Sequence, residues 1–472
     1  MRILLVNPTT RIYAKGLSVK AQSPLGLLCL AAVLREDGHI VKIFDHNVEN
    51  NGLKDCFKFN PELVGFTSFT GPMILDGLNL SEVFRTHLEV PTVWGGVHPT
   101  LLPAQTVSDP RVDMCVVGEG EATIVELADC LENSRDLSRV KGLVWKEVNN
   151  GNVKIIENDP RPFIRDLDSL PFPAWDLIDP EKYRATSMGI KKSSLSLYSV
   201  QSSRGCPFQC RFCYNTIFNQ QKWRFKSAER VIEEISYLKE KYKIERINFK
   251  DDNFVVKKKR VEKICRELYK NNLDVKFAAD CRVDLLTTQL AKFLRLGGCE
   301  QLFFGVESGS PRILRFIRKG ITLPQAMDAV KICKKMKIMS SASFVIGFPT
   351  ETMEDIKLTQ AFITRLNPDD ILLKIFVPYP GSSLFDYSVK NHLFNPPQKL
   401  EDWALSWANA NYQLSSVPLN MLNRLAKTMV RSFYIRKFPS KIILFLMGLL
   451  KNRISLHRIL FQGVKIITAY TD

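Results

Sequence analysis

The stretch RGCPFQCRFCYN, residues 204–215, sets Cys206, Cys210 and Cys213 in a C-x3-C-x2-C array, three thiols within eight residues. Thiolates bind soft metal centres, and a structural zinc or a fully ligated iron–sulfur cluster normally takes four protein ligands. A local set of three implies a centre with one position open to something else. A zinc ribbon needs a second close pair, and no other two cysteines in the chain have C-x2-C spacing. Three thiolates suit a four-iron cluster held by three irons, with the fourth left for a small chelating ligand. The other eight cysteines, Cys29, Cys56, Cys115, Cys130, Cys265, Cys281, Cys299 and Cys333, fall singly in mostly apolar stretches and read as small buried hydrophobes.

The cysteine loop must be positioned by what surrounds it. From about residue 196 to 390, strand patterns (LYSVQSSRG, RINFKDDNF, DVKFAADCR, QLFFGVES, SASFVIGFP, ILLKIFVPY) alternate with helical ones such as SAERVIEEISYLKEKY and TLPQAMDAVKICKKM. In the first of these helices Val231, Ile232, Ile235 and Leu238 share a face behind an N-capping Ser227. Six strand–helix units predict a partial (β/α)6 barrel of the TIM type, whose chemistry belongs at the carboxyl ends of the strands. The cysteine loop leaves the first strand at that end.

At 472 residues the chain should hold two or three domains. Residues 1–145 also alternate strand and helix, predicting a doubly wound, Rossmann-like parallel sheet. Ligands settle at the strand ends of such sheets, here Asn7-Pro8, Gly65 to Thr70 (with Thr67 and Ser68), Gly95-Gly96-Val97-His98 and Gly118-Glu119-Gly120-Glu121. Residues 146–195, rich in Pro, Asp and Asn, read as a linker packed on the domains. Residues 391–472 read as a helical, basic-apolar region.

The pattern C-x3-C-x-aromatic-C, here Cys206, Cys210, Phe212 and Cys213, resembles that of radical S-adenosylmethionine (SAM) enzymes. The resemblance implies a [4Fe-4S] cluster whose open iron chelates SAM, and an electron from the cluster that cleaves SAM to a 5'-deoxyadenosyl radical. It also implies SAM-binding roles for Phe212, for Asp251 or Asp252 in FKDDNF, for Glu307 and Ser308 in FFGVESGS, and for Ile346 and Gly347 in FVIGFPTET. Thr352 and Asp355 also form a helix-capping pattern.

SPLGLLCLAAVL, VWGGVHPT, GEGE and LPFPAWDL resemble the class of these enzymes with an N-terminal cobalamin (B12)-binding domain. The resemblance implies a corrinoid contacted by Thr67, Ser68, Gly95, Gly96, His98, Gly118 and Glu119, with Tyr214, Trp223 and Arg224 shaping the substrate cavity. The D-x-H-x-x-G pattern that supplies a histidine ligand to the corrinoid has no match, since FDHNVENNG has the wrong spacing. The implied activity is C-methylation of an unactivated carbon in a lipid, pigment or secondary metabolite. Oxidative cyclisation, methylthio transfer and a non-catalytic corrinoid or iron–sulfur sensor are the alternatives.

The net charge of +17 speaks to partners and not to fold. Much of the excess lies beyond Arg431, in a segment whose apolar run, Ile442 to Leu450, is too short to span a bilayer of about 20 helical residues. A helix packed on the domain with its basic face in water is the plainer expectation; an interfacial helix making a peripheral membrane contact is the functional one. The N-terminus lacks a signal-peptide pattern, so the expected location is cytoplasmic. The expected partners are a small-molecule substrate, which the aromatic C-terminal region (Trp403, Trp407, Tyr412) would suit if hydrophobic, and an electron donor such as flavodoxin or ferredoxin. Nucleic acid is not expected.

Overall fold

A computed structural model describes residues 1–10, 22–49, 52–149, 152–183, 198–404 and 412–437. The N-terminal unit runs β1 (Arg2–Asn7), α1 (Leu25–Glu36), β2 (Ile40–Asp45), α2 (Leu53–Phe59), β3 (Leu63–Thr67), α3 (Met73–Leu88), β4 (Thr92–Gly95), α4 (Val97–Leu101), α5 (Pro103–Ser108), β5 (Met114–Val116) and α6 (Glu121–Glu132). Its strands lie parallel in the order β2-β1-β3-β4-β5. In β1, Ile3, Leu4, Leu5 and Val6 are all buried, as helices on both faces of a sheet require. Strand order reverses between β1 and β3, and a crevice opens at that switch point.

The sheet continues past the boundary expected at residue 145. An antiparallel hairpin, β6 (Leu143–Asn149) and β7 (Asn152–Glu157), extends its β5 edge. The alternation of LVWKEVN and NVKIIE was the hairpin signal; the Pro- and Asp-rich sequence that follows obscured it. Residues 158–183 then lie between the two units. Trp175 is fully buried with its ring 4.9 Å from that of Tyr198, Ala174 donates to the Leu28 carbonyl, and the Arg230 guanidinium covers Phe172 at 3.9 Å.

The second unit opens with β8 (Tyr198–Val200), β9 (Ser203–Arg204), α7 (Asn215–Phe218), β10 (Arg224–Phe225) and α8 (Ala228–Tyr242). It continues through β11 (Arg246–Phe249), α9 (Lys258–Lys270), β12 (Lys276–Cys281), α10 (Thr288–Leu296), β13 (Cys299–Glu307), α11 (Pro311–Phe316), α12 (Leu323–Met336), β14 (Met339–Ile346), α13 (Met353–Leu366), β15 (Asp370–Ile375) and α14 (Ser383–Lys390). Six parallel strands, ordered β8-β11-β12-β13-β14-β15, make an arc whose end strands do not pair with each other. The helices are capped as their sequences demand: Ser227 accepts from Arg230 N, and capping boxes close at Thr322/Gln325 and Thr352/Asp355.

The two faces of the arc differ in chemistry. Ile247, Phe249, Phe277, Leu302, Phe304, Ala342, Phe344 and Ile346 are buried toward the helices. The alternate positions, facing inward, include Asn248, Lys250, Asp280, Gln301, Phe303, Ser343 and Leu372, and most retain exposure. The barrel therefore has a polar lumen. Helix α15 (Leu419–Lys437) buries Leu422, Met429 and Phe433 against β15 and α13. Ile442 to Leu450 and Trp407 lie outside the described residues; among those described, no helix is long and apolar enough to cross a membrane.

Candidate active site

The cysteine loop is the segment enclosed by the two-stranded ribbon β9–β10, in which Arg204 pairs with Arg224 and Ser203 with Phe225. Gly205 begins it at φ +84°, and a Cβ there would lie 2.0 Å from the Lys222 carbonyl oxygen, so no other residue fits. Several contacts hold the loop in place. Arg211 N donates to the Ile317 carbonyl while its guanidinium lies over Phe316 and Tyr387, and Leu384 N donates to the Arg211 carbonyl. Phe208 sits 3.6 Å from the Arg282 guanidinium, and the Phe212 ring lies 5.8 Å from that of Phe348.

Burial raises the Cys206 thiol and pushes that of Cys213 up to about 12; neighbouring Cys210 and Asp252 add to both shifts. Backbone N–H groups of Phe208 and Asn215 partly offset them by bonding to these sulfurs. Crowded, buried thiols resist ionising until a cation replaces their protons, as metal binding does. Among the described residues no three His, Cys, Asp or Glu side chains form a single-ion site. The fit to a [4Fe-4S] cluster rests on this donor set of three coupled sulfurs in a pinned loop.

Between the units lies a cleft of about 390 Å³. Its sheet wall comes from Leu5, Gly65, Thr67, Gly95, Gly96, Gly118 and Glu119 at the strand ends of the N-terminal unit. Gln201, Arg204, Gly205, Tyr214, Lys250 and Asp252 form its barrel wall. A Cβ built on Gly26 or Gly118 meets nothing within 4 Å, so this wall is bare where a large ring and its tail need to lie. The described lining holds no histidine, and His46 instead bonds Asp76 at 2.9 Å. The cleft fits a corrinoid that takes no histidine from the described residues.

The residues singled out from sequence part company here. Thr67, Gly95, Gly96 and Gly118 line the cleft. His98 does not: it is fully buried, bonded to Thr70 through Nδ1 at 3.0 Å and packed edge-on against Trp403. Burial lowers its pKa to about 3. Ser68 is likewise buried and spends its hydroxyl on the Phe69 carbonyl. Glu119 lines the cleft, but its oxygens are taken by Arg204, Arg224 and Ile164 N. Trp403, expected near substrate, is buried and donates to Gln105 at 2.7 Å, docking the C-terminal segment onto the N-terminal unit.

On the barrel side, Asp252 faces the cleft and accepts from Gly205 N at 3.0 Å. Asp251 is buried and consumed by Ser202 N, Ser202 Oγ and Ser203 Oγ at 2.6–2.7 Å. Glu307 is paired with Lys319, and Ser308 is taken up by Thr359 and Ser310 N. The Ile346 side chain faces the helices and its carbonyl accepts from Phe376 N. Gly347 admits Leu422, whose Cδ1 lies 3.0 Å from where a Cβ would stand. Tyr214 lines the cleft, whereas Trp223 stacks on Phe225 and Arg224 belongs to the Glu119 cluster.

Asp280 was missed from sequence. Its backbone is in register with Phe303, and continuing the β11–β12 pairing sets it opposite Lys250. Burial, opposed by Lys250, pushes its carboxyl up to about 6. Alternation of polar residues within otherwise apolar strands was the available signal.

The Radical SAM superfamily model matches residues 200–363, and the B12 binding domain model matches residues 19–128. Over 399 residues the chain is 40% identical to the uncharacterized methyltransferase PH0819 of Pyrococcus horikoshii, spanning 83% of this chain and 84% of that protein. The chain belongs to the cobalamin-dependent radical SAM methyltransferase family.

This radical SAM enzyme uses a [4Fe-4S] cluster, SAM and cobalamin. It is also 27% identical, over 85% of its length and 80% of the relative's, to the anaerobic magnesium-protoporphyrin IX monomethyl ester cyclase of Synechocystis. The fold is shared with TsrM, a radical SAM methyltransferase of Kitasatospora setae solved with tryptophan and a SAM analogue. That match has a TM-score of 0.69 at 18% identity and covers 84% of this chain and 77% of the other. The methylthiotransferase alternative implies a second cysteine cluster in the N-terminal domain, but Cys29, Cys56, Cys115 and Cys130 lie in four separate elements, α1, α2, β5 and α6, with burial raising each thiol.

Proposed function

We propose that the enzyme is a C-methyltransferase acting on an unactivated carbon of a small molecule, within the range of lipids, pigments and secondary metabolites. The observation that carries this reading is a cleft bounded on one side by the bare strand ends of the B12-binding domain and on the other by Gly205, Tyr214 and Asp252. When bound, the cluster with SAM supplies a radical that removes a substrate hydrogen, and cobalamin supplies the methyl group. The chain's own part is placement and exclusion of water. Asp252 is assigned to the ammonium of the methionine moiety, because Asp251 is fully engaged elsewhere. The lumenal Asn248, Asp280 and Gln301 beside Phe303 favour a substrate with polar groups near its reacting end, even if the rest is hydrophobic. An electron donor such as flavodoxin or ferredoxin completes the proposed system.

The test is anaerobic turnover of the loaded protein with reductant, methyl-deuterated SAM and the small-molecule fraction of cells. Mass spectrometry should find a labelled metabolite together with 5'-deoxyadenosine. A dehydrogenated, unlabelled product would support oxidative cyclisation, the second reading, which the cyclase relative favours. No 5'-deoxyadenosine from protein with an intact cluster would end the catalytic reading and leave a sensor.

A further inference from the structure

Four charged side chains meet between the two domains, where the cluster loop joins the cobalamin cleft. Arg204 directly precedes the cysteine loop and Arg224 closes it, and the two are register partners in the β9–β10 ribbon. Glu119 and Glu121 leave the end of β5 and open α6, on the sheet wall of the cleft. Arg204 Nη1 donates to Glu119 Oε1 at 2.8 Å, and Nη2 donates to Glu121 Oε1 at 2.5 Å. Arg224 Nη1 donates to Glu119 Oε2 at 2.6 Å, and Nη2 reaches Asn219 inside the loop at 3.0 Å. The Glu119 and Glu121 side chains are 7% and 8% exposed and those of the arginines 13% and 10%, so water does not compete freely for these bonds.

We infer that Arg204, Arg224, Glu119 and Glu121 act as positioning residues that fix the spacing between the cluster and the corrinoid. A guanidinium held by two carboxylates has one geometry, unlike the point charge of a lysine. Here the fork locks the neck of the cluster loop to the segment carrying Gly118 and Gly120, which line the corrinoid side. Burial works against the charge on Glu119, yet the two arginines hold its carboxyl below the ordinary range. Reactions that hand a group between two bound species are sensitive to offsets of about 1 Å. Nothing else described between these two segments is as directional.

The test needs no substrate, so it stands apart from the proposed methylation. Protein loaded with cluster and cobalamin is reduced to the paramagnetic state of each, and their magnetic interaction is read by electron paramagnetic resonance. The parent should show one defined coupling. E121Q, and R204K as a variant that keeps the charge without the fork, should lose it to a broad distribution of couplings while retaining both cofactors. E300Q breaks a pair with Arg246 at the start of β11 and β13, the end of the barrel away from the cleft, and should keep the parent spectrum. Parent-like spectra from E121Q and R204K overturn the inference. So does the same broadening in E300Q, or loss of cobalamin from E121Q with the cluster retained, which would make Glu121 a corrinoid contact.

Discussion

Lys319 Nζ donates to Glu307 Oε1 at 2.7 Å, with both side chains buried beside the cysteine loop. The pair stands over Gly305, where a Cβ would come within 2.4 Å of Glu307 Oε1 and 2.6 Å of Lys319 Nζ. Lys319 also lies 5.8 Å from the Phe212 ring. A buried pair broken on one side leaves an uncompensated charge, a loss of about 3–5 kcal/mol. K319M should therefore lower the denaturation midpoint markedly, whereas the double change K319M/E307Q should recover much of the loss. Denaturant titration of the three proteins checks this, and equal losses from the single and double variants would contradict it.

The cysteines should divide sharply. C206A, C210A and C213A each remove one of the three proposed cluster ligands, so iron content and SAM cleavage should fall to background. C299A and C333A remove fully buried thiols outside the cysteine loop, that of Cys299 donating to the Gln301 carbonyl at 3.6 Å, and should leave both intact at a moderate loss of stability. Iron analysis and 5'-deoxyadenosine assay on all five variants decide it.

Gly26 lies in the first turn of α1, lines the cleft and has open space where a Cβ would stand. Alanine there should stabilise the helix by up to about 1 kcal/mol and leave cobalamin binding unchanged. G26F should fill the cleft, giving protein with normal iron and little bound corrinoid by absorbance. Full cobalamin binding by G26F would place the corrinoid elsewhere.

Glu351 is buried behind Gly347 and Phe348, accepting from both backbone N–H groups, with Oε1 unpartnered. Burial pushes its pKa from 4.5 up to about 8. Between those values the folded state holds a proton that the unfolded state has released, so this group makes stability fall as pH rises from 4.5 to 8. Above 8 the penalty is fully developed. E351Q should flatten that slope, matching the parent near pH 5 and exceeding it in apparent Tm at pH 8.5. Parallel melting curves for the two proteins across this range would refute the assignment.

How far the site was legible depends on how local each feature is. The cysteine loop is eight consecutive residues, and its three thiols act together wherever the fold puts them. Strand and helix periods are also local, and all six barrel strands formed where apolar runs demanded them. The β6–β7 hairpin, read as linker, shows the limit: pairing to the β5 edge stabilises it, and that edge comes from outside its own sequence.

The chain alone thus determined the order of the two α/β units, the cluster-binding loop and the kinship that brings SAM and cobalamin, because all of these rest on residue type at short spacing. Tertiary structure decided which carboxylates keep a side toward the lumen. Glu119 is claimed by an arginine 85 residues away and Asp251 by a serine 49 residues away, while Asp252, though bonded to Gly205 N, and Asp280 still face the lumen. A carboxylate's availability depends on what folding brings within hydrogen-bond reach, and neighbours along the chain do not report it.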